Sequence, residues 1–247
     1  MSYVNLAKAL EAPLKGYIAE TCVHSEDTNC FKKHVVARVG FLALTPWSLA
    51  TSTADILIGI GAGIAVIGTA GKQKEAWDFA MNHLNSSRKI VVRPYFDLLM
   101  ALNPQAKFSG SIDNMPYVQR QTATLMGQKD AFITVEGDGF ITHYVSEALK
   151  DVARNCYNSD NFLKRHVASR LTYLLLVISS VITRLMDGII GVMAAILSFA
   201  TFGKVESINN LAYRGLQATG IVQDVFYCTT KIINPWAGTK KVVALAY

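Results

Sequence analysis

Charged side chains are scarce in this chain. Only 17% of its 247 residues are Asp, Glu, Lys or Arg, against roughly a quarter in an ordinary soluble domain. No stretch strings like charges together and none is of low complexity, which argues against a disordered tail. Cysteine is scarce as well. Cys22, Cys30, Cys156 and Cys228 fall at no C-x-x-C spacing, so neither a zinc cage nor a disulfide framework is indicated, and the thiols read as small buried hydrophobes. The familiar catalytic signatures are missing: there is no P-loop, no G-x-G-x-x-G, no G-x-S-x-G and no H-E-x-x-H. The glycine cluster Gly59-Ile-Gly-Ala-Gly-Ile follows a helical run, not a strand, so it does not indicate nucleotide binding. Glu136-Gly-Asp-Gly lacks the alternating acidic ligands of a calcium loop. A net charge of +6 is too small and too dispersed to indicate nucleic-acid binding. These absences lead to the expectation of a non-enzymatic protein with no catalytic, cofactor-binding or metal-binding residues, no small-molecule substrate and no nucleic-acid partner.

What the chain does have is a copy of itself. Residues 29–72 pair with 161–204 at a constant offset of 132, with 17 identities in 44 positions. The pairs include Asn29 with Asn161, His34 with His166, Arg38 with Arg170, Asp55 with Asp187 and Gly59 with Gly191. Looser matches extend the repeats to about 1–107 and 142–238, with a non-repeated insert at 108–141 and a tail at 239–247. A repeat sets the architecture before any other reading. The periodicity predicts a mainly α protein of two tandem helical repeats. Helices are expected at Tyr3–Ile18, bent or broken near Pro13, then at Phe31–Ala50, Ile56–Ala70, Gln73–Leu84 and Lys89–Leu102. Their counterparts in the second repeat are expected at the same spacing. Asn29 and Asn161 sit where N-caps belong. Asp55 and Asp187 fall between two apolar stretches, and the simplest account is a helix break that each of them caps. Gly71 and Gly203 are placed to end the third helix in the left-handed conformation. The insert reads differently. Ala131-Phe132-Ile133-Thr134-Val135, then Glu136-Gly-Asp-Gly, then Phe140-Ile-Thr142 predicts a β-hairpin.

The apolar arms pose the main question. Val39–Ala54 and Asp55–Ala70 are 16 residues each, about 24 Å as separate helices, short of the roughly 30 Å hydrocarbon core. Arg184 and Asp187 interrupt the second copy, and each would cost several kcal/mol at mid-bilayer. Read as hairpins, the arms suit a soluble core or a shallow wedge in one leaflet. Gly59, Gly61, Gly63 and Gly68 point to close helix approach, since each costs roughly 1 kcal/mol of helix propensity against alanine.

Basic residues cluster at the start of the second helix of each repeat: Lys32, Lys33, His34 and Arg38, then Lys164, Arg165, His166 and Arg170. Cations oppose the helix dipole there, so an acidic partner is expected. The candidates are nearby Glu26, Asp27 or Asp160, a neighbouring subunit, or lipid headgroups. Arg38 and Arg184 are possible partners of Asp55 and Asp187. With Phe132, Ile133, Phe140 and Trp236, the basic clusters are the candidate interface residues. Surplus apolar surface must go into a membrane, a partner or a polymer, and a doubled unit suits self-association. The expected function is therefore a self-assembling structural subunit of a filament, tube or sheet, with the chain itself as partner. The alternative is a membrane-inserted shaping or effector protein that uses two hydrophobic hairpins.

The segment Lys164-Arg-His-Val-Ala-Ser-Arg170, the apolar run to Phe199, Leu211-Ala-Tyr and Asn234-Pro resemble duplicated hydrophobic helical proteins of chlamydia-related intracellular bacteria. The resemblance covers most of both repeats and carries no activity. It implies secretion to a host or a role in an unusual bacterial assembly. The opening residues lack a basic segment followed by an apolar one, so no classical signal peptide is expected. Synthesis in the bacterial cytoplasm, then assembly there or leaderless secretion, is the corresponding expectation.

Overall fold

The fold is described from a computed structural model, which defines residues 6–18, 22, 29–106 and 140–238. Every regular element among them is helical. In the first repeat these are α1 (Leu6–Ile18), α2 (Ala37–Gly68), α3 (Lys74–Leu84), the single turn α4 (Ser86–Lys89) and α5 (Val92–Leu102). In the second they are α6 (Phe140–Tyr157), α7 (Ser169–Ala200), α8 (Glu206–Gly215), a 3₁₀ turn (Leu216–Gly220) and α9 (Ile221–Ile233). The Asn29 side-chain carbonyl accepts from the Phe31 N–H at 3.1 Å, and that of Asn161 from the Leu163 and Lys164 N–H groups at 2.9 and 3.3 Å. One wide turn then precedes each long helix, at Lys32–Val36 and at Lys164–Ala168.

Two sequence expectations are corrected here. The long apolar segment of each repeat is one continuous helix of 32 residues, not two arms of a hairpin. Asp55 and Asp187 lie inside these helices and do not break them. Their carboxylates instead receive the free backbone N–H groups at the start of a different helix. Asp55 takes the Leu6 N–H of α1 at 2.9 Å. Asp187 takes the Ile141 and Thr142 N–H groups of α6 at 3.0 and 3.1 Å. The first four N–H groups of a helix have no partner within it, and a carboxylate there also meets the positive end of the dipole. That contact explains the second correction. Phe140, Ile141 and Thr142 open α6 and are not a strand; the first strand of the expected hairpin, with Phe132 and Ile133, lies outside the described residues. Pro13 and Pro46 sit within α1 and α2 without ending them.

Each long helix ends in the same way. Ala70 and Gly71 have φ of 50° and 66°, and Phe202 and Gly203 have 53° and 65°. The Gly71 and Gly203 N–H groups reach back to the carbonyls of Val66 and Ser198. The chain then doubles back along the helix it has left. Gly59 and Gly191 make the return possible: a Cβ on Gly59 would stand 2.8 Å from the Leu84 backbone nitrogen, and one on Gly191 would stand 2.5 Å from that of Leu216.

The halves clasp each other reciprocally. The Asn103 side-chain amide at the end of α5 donates to the Phe202 carbonyl at 2.8 Å, and that of Asn234 at the end of α9 donates to the Ala70 carbonyl at 2.8 Å. Val92, Tyr95 and Leu99 pack with Ala194, Ala212 and Leu216; Val66, Trp77 and Ala80 pack with Ala237 and Phe226. Through these bridges the far part of α2 lies beside the near part of α7: Phe226 rests on Gly63 while its neighbour Tyr227 meets Tyr173. The near part of α2 lies beside the far part of α7, through Asp97 on Ser48 and Tyr95 on Ser198. The two long helices therefore run in opposite senses.

Candidate functional site

The sides of α2 and α7 that face the protein carry mostly small and polar residues, with Phe41, Leu44 and Val66 of α2 and Tyr173 and Leu176 of α7 among them, and the opposite sides carry aliphatics. Ser48, Thr51, Ser52, Asp55, Gly59 and Gly63 of α2 are buried. So are Ser169, Thr172, Ser180, Thr183, Arg184, Asp187, Gly191 and Ser198 of α7. Facing outward are Leu57, Ile64, Ile189 and Ile196, each more than 60% exposed, with Leu42, Ile60, Leu174, Ile178, Leu185 and Val192 between them. No charged side chain is exposed on α2 or its ends between Arg38 and Lys72, or on α7 between Arg170 and Lys204. By length and composition both helices are apolar enough to cross a membrane.

Beneath these faces runs a polar seam. In the first repeat, Lys15 of α1 pairs with Asp97 of α5 at 2.9 Å and approaches Glu11 at 3.4 Å. The Ser48 hydroxyl donates to the other Asp97 oxygen at 2.7 Å, and the Thr51 hydroxyl donates to Glu11. Arg93 donates to Ser52 at 2.8 Å and lies 3.7 Å from Glu11. Burial pushes the Asp97 carboxyl above the ordinary carboxylate range, against the pull of Lys15. One helical turn on, Asp55 holds His83 and Ser86, each at 2.9 Å, as well as the α1 terminus. In the second repeat the seam is rewired. Arg184 occupies the place of Ser52, and it donates to Asp224 at 2.8 Å, where the first repeat has Arg93. Arg88 crosses from the first repeat to the same Asp224 at 3.2 Å. Asp187 is thus paired with backbone N–H groups, not with Arg184. These ionic groups are buried and paired, as such groups must be to escape the cost of an isolated charge.

The basic clusters lie elsewhere, at the outer ends of the long helices. Lys32, His34, Arg38, Lys164 and Arg170 are exposed, and the Lys33 side chain lies outside the described residues. Arg165 binds the Ser159 carbonyl at 2.9 Å and lies 3.5 Å from Asp160. Arg170 reaches the Ile233 carbonyl at 3.5 Å. The His166 ring meets Phe162 and Trp236, and Trp236 also meets Tyr157. Phe140 lies under the Arg214 guanidinium, 5.3 Å from ring centre to carbon. The structure does not gather these residues into one site. It does bring together Lys231, which sequence reading missed. Its ammonium group is surrounded by Trp77, Tyr157 and Tyr227 at 5.8–5.9 Å, and it donates to the Pro235 carbonyl at 3.1 Å. Burial lowers it to about 8, with Arg154 adding to the effect. No group of three or more potential metal ligands occurs among the described residues. Compared with known proteins, the chain matches no family model, no curated protein and no solved structure.

Proposed function

We propose that this is a non-enzymatic, membrane-inserted protein whose two long helices lie lengthwise in one leaflet, with their aliphatic faces among acyl chains. The observation that carries this reading is the distribution of polarity across α2 and α7: most of their serines and threonines and the paired charges face inward, and the outward sides are almost wholly aliphatic. Water favours the opposite arrangement, whereas a bilayer requires polar groups to be satisfied inside the protein. Exposed Arg38, Lys72, Arg170 and Lys204 bracket both faces, where long basic side chains reach headgroups.

Lying in the leaflet fits better than crossing it. α6 runs beside α7 from Asp187 to Tyr173 and Leu176. Its outer side carries Glu147, Asp151 and Arg154. At roughly 2.5–3.5 kcal/mol for each such residue at the bilayer centre, a spanning pose costs several kcal/mol that an in-plane pose avoids. The long helices thus replace the expected hairpins as the inserted elements.

A second reading keeps self-assembly: copies of the chain cover these faces and build a filament, tube or sheet. It is favoured by the reciprocal clasp, which gives the molecule two related apolar faces suited to propagation. Flotation with phosphatidylcholine–phosphatidylglycerol vesicles, followed by an alkaline carbonate wash, separates the two. Recovery in the washed vesicle fraction is expected. Protein left at the bottom of the gradient rejects insertion, and electron microscopy of that fraction then tests for ordered assemblies.

A further inference from the structure

Between the two long helices lies an open groove of about 520 Å³. Leu49 of α2, Pro94 and Leu98 of α5, and Val192, Ile196 and Phe199 of α7 line it. Its size falls within the range of small-ligand sites, roughly 300–1,000 Å³, yet its lining is almost wholly apolar. The one hydroxyl at its wall is already engaged: Tyr95 donates to Ser198 at 2.8 Å, and Ser198 in turn donates to Asn209 at 2.5 Å. A headgroup, sugar or nucleotide finds nothing to bind there. A hydrocarbon chain does.

The pseudo-two-fold relation shows how the groove is kept open. Tyr95 corresponds to Phe226, Ser198 to Val66 and Ala195 to Gly63. At the corresponding place in the other half, the Phe226 ring lies over Gly63, 2.9 Å from where a Cβ would stand, and fills the space. On the groove side the Tyr95 hydroxyl holds its ring toward Ser198 and edge-on to Phe199. Phe226 has no hydroxyl, and Val66 could not receive one. The Phe226 ring thus plugs the space over Gly63, whereas at Ala195 the corresponding ring, that of Tyr95, is turned toward Ser198.

We propose that this groove binds one acyl chain of a bilayer phospholipid. The rims, Leu49, Val91, Leu98, Val192 and Ile196, are exposed, so the groove is continuous with the faces assigned above to lipid. The proposal rests on that reading for the source of the ligand, though not for the apolar chemistry of the site. From Val192 to Phe199 the wall is two helical turns, about 10 Å long, which holds a segment of chain and leaves the headgroup outside.

The test uses the full-length protein in vesicles containing phosphatidylcholine with a diazirine on its acyl chain, with crosslinks mapped by mass spectrometry. A parallel sample uses free palmitate bearing the same diazirine. Phospholipid crosslinks are expected to concentrate on residues 90–98 and 192–199. They should fall roughly tenfold in A195F, which imitates the plug of the other half, or in V192W, whose rim position tolerates a larger side chain; a tenfold change corresponds to about 1.4 kcal/mol. I189F, on the lipid-facing side away from the groove, should label like the wild type. Crosslinks spread evenly along α2 and α7, or unchanged in both folded variants, overturn the groove. Labelling by palmitate alone overturns the phospholipid assignment. A protein that fails to float yet labels in the groove with palmitate removes the membrane reading and leaves an acyl-binding site in a soluble protein.

Discussion

Asp55 and Asp187 show how much one side chain decides. Both are fully buried in the middle of a long helix, a position that costs several kcal/mol for an unpaired carboxylate. Each carboxylate is satisfied by the start of another helix. D187A would leave the Ile141 and Thr142 N–H groups without acceptors, at roughly 1–3 kcal/mol per buried group. D187N keeps one acceptor and loses the charge facing the dipole, so it should fall between D187A and the wild type. Thermal melts of the three proteins check the order. From sequence alone Asp is a sensible cap, and a cap it is. The N–H groups it caps, however, lie 49 residues upstream in the first repeat and 46 and 45 in the second, and no local pattern reveals a partner at that distance.

Lys231 makes a prediction about pH. Its folded value of about 8 lies below the ordinary 10.5, so its contribution to stability is present above 10.5 and is lost as pH falls through 8. The three surrounding rings favour the cation and oppose this shift. Cys228, pushed up to about 12 by burial and by Asp224, has the opposite sign: its contribution is lost as pH rises from about 9. The difference between wild type and K231M isolates the lysine. Between pH 8 and 9 the wild type should gain up to about 1 kcal/mol relative to K231M, read from chemical denaturation at each pH.

Among the helices, glycine separates contact from open space. Gly59, Gly61 and Gly191 look alike in sequence, all within small-residue stretches that suggest close packing. G191A would drive a methyl group into the backbone at Gly215 and Leu216. Neither backbone can yield as a side chain does, so a loss of about 1–3 kcal/mol or more is expected. Nothing lies within 4 Å of the same atom at Gly61, and G61A should stabilise α2 by about 1 kcal/mol. Paired urea titrations test this contrast, and equal effects would contradict the packing described. The turn glycines, the Asn caps and the helix ends before Asn103 and Asn234 were readable because each is a local backbone requirement. The continuity of α2 and α7 was not, because a polar residue flanked by apolar runs reads the same as a cap or as the buried stripe of one helix. What distinguishes these cases is the face on which Ser48, Thr51, Ser52 and Asp55 recur, three to four residues apart. That spacing is present in the sequence and marks an inward polar stripe once the helix is taken as continuous.

At the scale of the whole molecule, the exposed sides of α2 and α7 are its most apolar surfaces, and the proposed insertion should respond to changes there. I189E and I64E place a carboxylate on each outward face without touching the seam. Each should weaken vesicle binding by about tenfold or more while leaving the melting temperature of the detergent-solubilised protein within a degree or two, since exposed positions change stability by only about 0.5 kcal/mol. Flotation and melting curves measured on the same preparations check this. An unchanged flotation profile would remove these faces from the membrane and return them to contacts between copies.

The mutual grip of Asn103 on Phe202 and Asn234 on Ala70 has one more consequence. Two chains held in that way would form a homodimer that falls apart on dilution. Here the partners are joined by the segment 107–139, so each meets the other at a fixed local abundance. One half is then free to drift in sequence, opening a groove or exchanging an arginine for an aspartate, without losing its counterpart.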